Sequence, residues 1–235
     1  MKVKNYLPGW LYNPSIKIYN KYFNKFYQKS YAQEGEDIIF RRIIFGKIEK
    51  GFYVDVGAHH PKRFSNTYLL YTMGWRGINI EPMPGSKKIF DKYRSQDINL
   101  EIPISAQGKE LTYFIFNEPA LNGFSKEMSI ARDGEAEYRI LKTVNMRTKT
   151  LCDALDEYLP PGKKINLLNV DVEGLDLDVL KSNNWNKYVP DYLMVEDKEF
   201  NLMSPDGSAV HKFMLGLNYQ LIVKTLNTLI YKFKL

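Results

Sequence analysis

The sequence predicts an α/β protein whose mostly parallel β-sheet carries helices on both faces. Short apolar runs rich in β-branched residues alternate with segments of helical spacing along most of the 235 residues. Such alternation is typical of parallel strands joined by right-handed helical crossovers. The two last apolar runs lie close enough together to form a hairpin, so the end of the sheet is predicted to be antiparallel.

The first strand, 52–58, is a β-branched run that ends in glycine, as buried strands do when they enter a loop. The second strand, 77–82, is closed by a proline, and 99–105 is the third. Apolar residues at helical spacing precede the first strand and separate the others. The predicted helices are 34–48, 65–73 and 84–93.

An added strand, 111–116, leads into the least regular part of the sequence. Residues 117–147 are polar and charged, and they have the length of a lid or an acceptor-recognition insertion. Regular alternation resumes after this insertion. Helices are predicted over 150–158 and 175–182, and strands over 165–171, 192–196, 219–224 and 228–232.

The composition fits one folded domain over residues 31–235. Hydrophobic residues make up 44% of the chain, enough for a sizeable core, which argues against disorder. Cys152 is the single cysteine, which excludes a disulfide framework and a thiolate zinc site. Because no apolar run reaches the ~18–20 residues of a membrane-spanning helix and no secretory signal is evident, a cytoplasmic protein that begins at Met1 is expected.

The net charge of +6 belongs to one segment, an N-terminal arm over residues 1–30. This arm holds six lysines and no acidic residue, which leaves 27 basic and 27 acidic residues elsewhere. Aromatic residues lie between the lysines. The arm therefore predicts contact with an anionic membrane face, which would place the protein at the inner membrane surface, or with an acidic polymer or nucleic acid. An amphipathic helix packed on the domain is the alternative.

A turn and an acid indicate a nucleoside cofactor. Asp55-Val56-Gly57-Ala58 ends the first strand, and Glu81 ends the second, 26 residues after Asp55. Glycine lets a cofactor approach the backbone, and an acid at this place can accept hydrogen bonds from ribose hydroxyls. The further glycines of a dinucleotide fingerprint and a GxxxxGK[ST] loop are missing. S-adenosylmethionine, which has a ribose but no phosphate, fits better than NAD or ATP; a purely structural turn is the alternative.

Five sequence blocks occur in one order: Tyr31–Asp37, Val54–Pro61, Ser65–Thr67, Gly74–Pro82 and Asn169–Asp176. With these blocks the sequence resembles the FkbM family of S-adenosylmethionine-dependent methyltransferases, over roughly residues 30 to 200. The resemblance implies the class I methyltransferase fold, which is a Rossmann-like sheet of seven strands with an antiparallel last strand. It also implies an O-methyltransferase, since many family members methylate sugars of polysaccharides or glycosylated natural products.

The resemblance also implies which residues bind the cofactor. Asp55, Gly57 and Ala58 match the first cofactor motif, with the backbone of this loop near the methionine part. Glu81 matches the acid that binds the ribose. Ser105, after the third strand, is expected on the adenine side.

Other residues of the matched blocks have two interpretations. Ser65, Asn66 and Thr67 either bind the methionine carboxylate or cap the following helix, since all three residue types favour helix starts. Gln33 and Glu36 either approach the cofactor or substrate or lie on a surface helix.

Two histidines follow the cofactor turn. Methyl transfer requires an aligned acceptor oxygen and the removal of its proton. An imidazole accepts a proton near neutral pH, so His60 or His59 is a candidate base. In the alternative interpretation, one histidine only orients the loop through hydrogen bonds to the backbone.

Alternating acids end the central strand. Asp171 and Glu173 lie on the same side if the strand geometry continues. Together with Glu196 or Asp197 they would coordinate Mg²⁺ or Mn²⁺ and polarise sugar hydroxyls, or one acid would act directly as the base.

The sequence thus predicts an S-adenosylmethionine-dependent O-methyltransferase that acts on a sugar hydroxyl of a glycan, glycolipid or nucleotide sugar. The contacts with this carbohydrate acceptor are expected in the insertion, through Asn122, Phe124, Tyr138 and Arg139. One alternative is an RNA methyltransferase that uses the basic arm, although nucleic acid is the less favoured partner. The other is a non-catalytic adaptor that docks on a membrane or polymer.

Overall fold

The computed structural model describes Ile18, residues 28–106 and residues 108–234. The chain divides into two units, Met1–Ser30 and Tyr31–Leu235, and the elements below belong to the second. Most of the basic arm lies outside the described residues, so its contact with a membrane face or an acidic polymer stays a prediction. None of the described helices combines the length and the apolarity that crossing a membrane requires.

Helices and strands alternate through most of the described chain. The strands are β1 (Phe52–Val56), β2 (Arg76–Ile80), β3 (Ile98–Leu100), β4 (Glu110–Phe116), β5 (Ile140–Arg147), β6 (Leu167–Val170), β7 (Tyr192–Glu196), β8 (Tyr219–Lys224) and β9 (Thr228–Phe233). The α-helices are α1 (Glu36–Ile44), α2 (Tyr68–Thr72), α3 (Ser86–Tyr93), α4 (Lys126–Arg132), α5 (Leu151–Tyr158), α6 (Asp176–Lys181) and α7 (Ala209–Gly216). Short 3₁₀ turns lie at Pro119–Leu121 and Pro205–Gly207.

Seven strands form the main sheet, in the order β3-β2-β1-β6-β7-β9-β8. The pairs from β3 to β7 are parallel, and β9 runs antiparallel to both of its neighbours. The expected fold class, including the antiparallel end of the sheet, is therefore confirmed. β4 and β5 form a separate antiparallel pair.

Both faces of the sheet are buried under helices, because successive strand residues point to opposite sides. On one face, Val54 of β1 and Leu168 of β6 pack in a cluster with residues of α5, α6 and α7. On the other face, Tyr53 and Leu167 pack with residues of α1 and α2. This two-sided burial explains why the central strands read as continuous apolar runs in the sequence.

The prediction for the segment 117–147 was wrong in one respect. It is not irregular, since it contains a 3₁₀ turn, α4 and β5. β5 pairs with β4 from Glu110↔Arg147 to Phe116↔Ile140, and we call residues 110–147 the β4–β5 arm. Two further predictions need correction: β3 ends at Leu100 instead of residue 105, and α7 was not anticipated.

A buried polar network lies under the carboxyl end of β1. The Arg94 guanidinium is fully buried and forms an ion pair with Asp97, with Nε 2.9 Å from Oδ2. Arg94 Nη1 also donates to the Thr67 hydroxyl at 3.0 Å, and this hydroxyl donates to Asp55 Oδ2 at 2.5 Å. The guanidinium thus bonds directly to Asp97 and, through Thr67, to Asp55, and it connects the end of α3 to the residues that begin the candidate site.

We predict that Arg94→Leu lowers the free energy of unfolding by about 3–5 kcal/mol, because it leaves buried carboxylates without their cation. Lys87→Leu is the matched control, since it breaks the exposed Lys87–Asp91 pair on α3 and should cost less than about 1 kcal/mol. Urea unfolding of both variants measures the difference. Equal losses would contradict the role given to Arg94.

Candidate active site

Four neighbouring strands of the main sheet reach the same edge in register. Val56 pairs with Ile80 of β2 and with Val170 of β6, and Val170 pairs with Val195 of β7. The next residue on each strand therefore lies at the same carboxyl edge of the sheet, where open α/β sheets bind ligands. From β2 to β7, these residues are Glu81, Gly57, Asp171 and Glu196.

One cavity covers this edge and encloses about 830 Å³ of space that is partly open to solvent. Among the residues predicted for the site, those that line the cavity are Gln33, Asp55, Gly57, Ala58, His59, Ser65, Asn66, Glu81, Asp171 and Glu173.

Gly57 is required by a close approach within the protein. Its φ is +80°, and a Cβ atom placed on it would lie 1.7 Å from the carbonyl oxygen of Asp171. The missing side chain thus makes room for the backbone after β6, not for a ligand as the sequence suggested. The N–H groups of Gly57 and Ala58 both donate to the Ile80 carbonyl, so they are already engaged within the protein.

Glu81 is the most strongly organised group of the cavity. Its Oε2 accepts from the His59 N–H at 2.8 Å, and its Oε1 accepts from the Met83 N–H at 2.9 Å and from the Tyr113 hydroxyl at 3.3 Å. Burial raises the pKa of Glu81 to about 7, against the effect of the two N–H donors. The carboxyl group therefore titrates near neutral pH.

Some of the residues that follow β1 line the cavity, and others form hydrogen bonds to buried groups beneath it. Thr67 does not line the cavity among the described residues, because its hydroxyl is engaged with Asp55 and Arg94. Ser65 Oγ accepts from the Tyr68 N–H at 3.1 Å, which supports the helix-capping interpretation for this serine. Asn66 lines the cavity and donates to Asn169 Oδ1 at 3.1 Å. Asp55 is buried and accepts from Asn169 as well as from Thr67.

The two histidines occupy different environments. His60 Nδ1 accepts from the N–H groups of Lys62 and Arg63 at 3.1 and 2.9 Å, so the proton of the neutral ring is on Nε2. Among the described lining residues His60 is absent, and the base role first given to it is not supported. His59 lines the cavity, and burial lowers its pKa to about 4, which makes it a weak base at neutral pH.

Three of the four predicted metal ligands converge. Carboxylate oxygens of Asp171, Glu173 and Glu196 lie within 4.8 Å of one another. Asp197 is not in this group, because its Oδ2 accepts from the Ser208 hydroxyl at 2.5 Å. Two cations already reach the cluster, since Arg132 and Lys198 both form ion pairs with Glu173, and Lys198 also pairs with Glu196.

Asp171 is the exceptional member of the acid cluster. Among the described residues, no group donates a hydrogen bond to its carboxylate or forms an ion pair with it. Burial, followed by the charge of Glu196, raises the pKa of Asp171 well above its ordinary value. Asp171 thus presents a carboxyl group of raised basicity to the cavity.

The β4–β5 arm supplies cavity residues that the sequence only partly anticipated. Asn122 and Phe124 line the cavity as expected, whereas Tyr138 and Arg139 do not appear in its described lining. Tyr113 was missed, because β4 was predicted only as an added strand without a role.

Two other predicted positions also need correction. Ser105 is buried outside the described lining, with its N–H bonded to the Lys149 carbonyl, and Ile102 and Ile104 line the cavity instead. The reason is that β3 ends at Leu100. Glu36 is buried away from the lining and accepts from the Thr228 hydroxyl at 3.1 Å.

Comparison with known proteins gives the family. The methyltransferase FkbM domain matches residues 55–221. The chain therefore belongs to the FkbM methyltransferase family, and S-adenosylmethionine is the methyl donor that this family implies. Among solved structures, the chain is similar to the precorrin-6y C5,15-methyltransferase of Geobacter metallireducens GS-15, at 10% sequence identity and a TM-score of 0.46, over 88% of this chain and 93% of that chain. No curated protein matches the chain significantly.

The raised pKa of Glu81 predicts a pH-dependent stability. In the unfolded chain Glu81 ionises near its ordinary pKa of 4.5, but in the folded chain only near 7. The folded state therefore binds more protons between these values, and rising pH destabilises it. Relative to Glu81→Gln, the free energy of unfolding of the ligand-free protein should fall by about 3 kcal/mol from pH 4.5 to pH 7.5.

Urea unfolding across this pH range measures that fall, and Glu199→Gln, at an exposed glutamate, controls for the loss of one charge. Parallel pH curves for the wild type and Glu81→Gln would contradict the environment assigned to Glu81.

Proposed function

We propose that the chain is an S-adenosylmethionine-dependent O-methyltransferase that acts on a sugar hydroxyl of a glycan, glycolipid or nucleotide sugar. The observation that carries the proposal is the pair of acids in one cavity. Glu81 is held by donors on both oxygens, whereas the Asp171 carboxylate has no donor among the described residues. One acid is thus organised for binding and the other is open for reaction.

The cavity suits the cofactor in two respects. Glu81 presents carboxylate oxygens where a ribose would lie. The Nε2 atom of His59 is buried without a partner among the described residues, so it offers a polar contact to a ligand. Three non-glycine residues of the lining, His59, Phe64 and Glu173, have positive φ angles. Backbone strain of this kind concentrates at functional sites.

The order of the strands indicates which acid lies beside the nucleoside and which lies beside the acceptor. Glu81 and Asp171 flank Gly57 at the carboxyl edge of the sheet, two strand spacings or roughly 10 Å apart. We assign the nucleoside to the side of Glu81 and the acceptor to the side of Asp171. S-adenosylmethionine supplies an activated methyl group when it is bound.

Asp171 is the base in this proposal. A base must reach the acceptor hydroxyl and have a pKa near the working pH. Burial raises the pKa of Asp171 well above its ordinary value, and the absence of a donor among the described residues leaves both of its oxygens able to accept the hydroxyl proton. Arg132 and Lys198 hold Glu173 in place beside it. This assignment takes the direct acid base that the sequence left open, in place of the candidate histidine base.

A sugar is the acceptor that the lining favours. Carboxylate and amide groups of Asp171, Glu173 and Asn122 can each hydrogen-bond hydroxyl groups, and Phe124 adds an aromatic ring. The resemblance to sugar-modifying members of the family supports the same class of acceptor.

We predict that Asp171→Asn lowers the rate of methyl transfer by at least about 100-fold, because general bases contribute about 10²–10⁴. The affinity for S-adenosylhomocysteine should change by less than about threefold, since the amide keeps the shape of the side chain. Transfer of radiolabelled methyl groups to a panel of oligosaccharides and nucleotide sugars, with RNA as a competing acceptor, gives the rate. Titration calorimetry gives the affinity.

Asp178→Asn, at an exposed position of α6, is the matched control and should keep the full rate. An unchanged rate in Asp171→Asn would remove Asp171 as the base. Transfer of the radiolabelled methyl group to RNA alone would favour the alternative function, an RNA methyltransferase.

The acid cluster is also the place for the Mg²⁺ or Mn²⁺ ion that the sequence indicated. Three carboxylate groups suit such an ion. However, the ammonium of Lys198 lies 2.7 Å from Glu196 and 3.3 Å from Glu173, so an ion would have to displace it. We therefore place the metal mechanism second to direct proton transfer by Asp171.

Direct transfer predicts that the enzyme keeps its activity after exhaustive treatment with EDTA, because Lys198 and Arg132 already balance two of the three carboxylates. The rate of methyl transfer before and after chelation, and after addition of Mg²⁺ or Mn²⁺, measures this. Loss of activity that either ion restores would favour the metal mechanism.

A further inference from the structure

Tyr113 joins the β4–β5 arm to the acid that faces the ribose. It lies on β4 with only 3% of its surface exposed, and it lines the cavity. Its hydroxyl is 3.3 Å from Glu81 Oε1. Burial raises the pKa of Tyr113, so the hydroxyl keeps its proton and acts as the donor.

The surrounding arm fixes the Tyr113 ring. The ring of Phe124 packs against it with centroids 4.7 Å apart. The segment that carries Phe124 is held on β4 by paired backbone hydrogen bonds between Phe114 and Gly123. Asn122 donates to the sulfur of Met83 at 3.3 Å, and Met83 itself donates to Glu81. The arm thus reaches Glu81 by two routes.

The donors at Glu81 leave about one acceptor position for a ligand hydroxyl. An ionised carboxylate has about four acceptor positions, and His59, Met83 and Tyr113 use three of them. Of these three contacts between described residues, the one with Tyr113 is the longest and the only one made by a side chain. The other two are backbone contacts that a substitution at those positions would not remove.

We propose that Tyr113 is a positioning residue, whose hydroxyl orients Glu81 and stabilises its ionised form for the ribose hydroxyls of the cofactor. The inference rests on the proposed function, since it assumes that Glu81 binds the ribose. The groups that face Glu81 agree with it. Asp55 on β1 raises the pKa of Glu81, while Tyr113 and the N–H groups of His59 and Met83 lower it.

Tyr113→Phe tests the proposal, because it removes the donor and keeps the ring that packs on Phe124. In the wild type we expect the affinity for S-adenosylhomocysteine to decrease as the pH is lowered through a midpoint near 7, because Glu81 takes up its proton. In Tyr113→Phe this midpoint should rise by about half a unit to one unit. The affinity at pH 6 should then fall about three- to tenfold, while at pH 8.5 it should stay within about twofold.

Two controls separate this effect from general damage. Tyr138→Phe removes a hydroxyl from the same arm at a position outside the described lining, and it should leave the midpoint unchanged. In a Glu81→Gln background, Tyr113→Phe should have the same small effect at every pH. An equal loss of affinity at all pH values in Tyr113→Phe alone would show a merely structural role and overturn the proposal.

A second measurement does not need the cofactor. Carbon-13 NMR of the ligand-free protein with labelled glutamate, assigned by the signal missing in Glu81→Gln, follows the titration of Glu81 directly. Tyr113→Phe should move this midpoint upward. An unmoved midpoint overturns the inference. A shifted midpoint in a protein that does not bind S-adenosylhomocysteine supports the link between Tyr113 and Glu81 and refutes the proposed cofactor site instead.

Discussion

The close approach of Gly57 to the Asp171 carbonyl is the contact on which the rest of the site depends. A side chain at Gly57 would collide with that carbonyl, so β1 and β6 could not end side by side. Their alignment places Glu81 on one side of Gly57 and Asp171 on the other. The same backbone constraint therefore sets the separation between the acid assigned to binding and the acid assigned to proton transfer.

Burial is the second feature that determines the chemistry of the site, and the β4–β5 arm provides part of this burial. Residues of the arm line the cavity beside both acids, and Arg132 of α4 reaches across to Glu173. Burial raises the pKa of Asp171 well above its ordinary value and that of Glu81 to about 7, so the Glu81 carboxyl group titrates near neutral pH.

The strand ends were predictable because their signals are local. A β-branched run followed by glycine or an acid identifies Gly57, Glu81 and Asp171 without knowledge of the tertiary structure. Strand alternation shows only that Glu196 and Asp197 point to opposite faces, and the Ser208 hydroxyl that bonds to Asp197 could not be inferred from the sequence. The hydroxyl of Thr67 could not be placed, since its partner Arg94 is 27 residues away. β5 was missed because most of its residues are exposed, so the strand lacks an apolar face that a pattern would reveal.

A crystal structure of the full chain with S-adenosylhomocysteine would test the assignment of the two acids most directly. We expect ribose hydroxyls within hydrogen-bond distance of the Glu81 carboxylate, and the Asp171 carboxylate facing the space beyond the sulfur atom. A nucleoside bound away from Glu81, or an Asp171 side chain covered by the ligand's adenine, would contradict it.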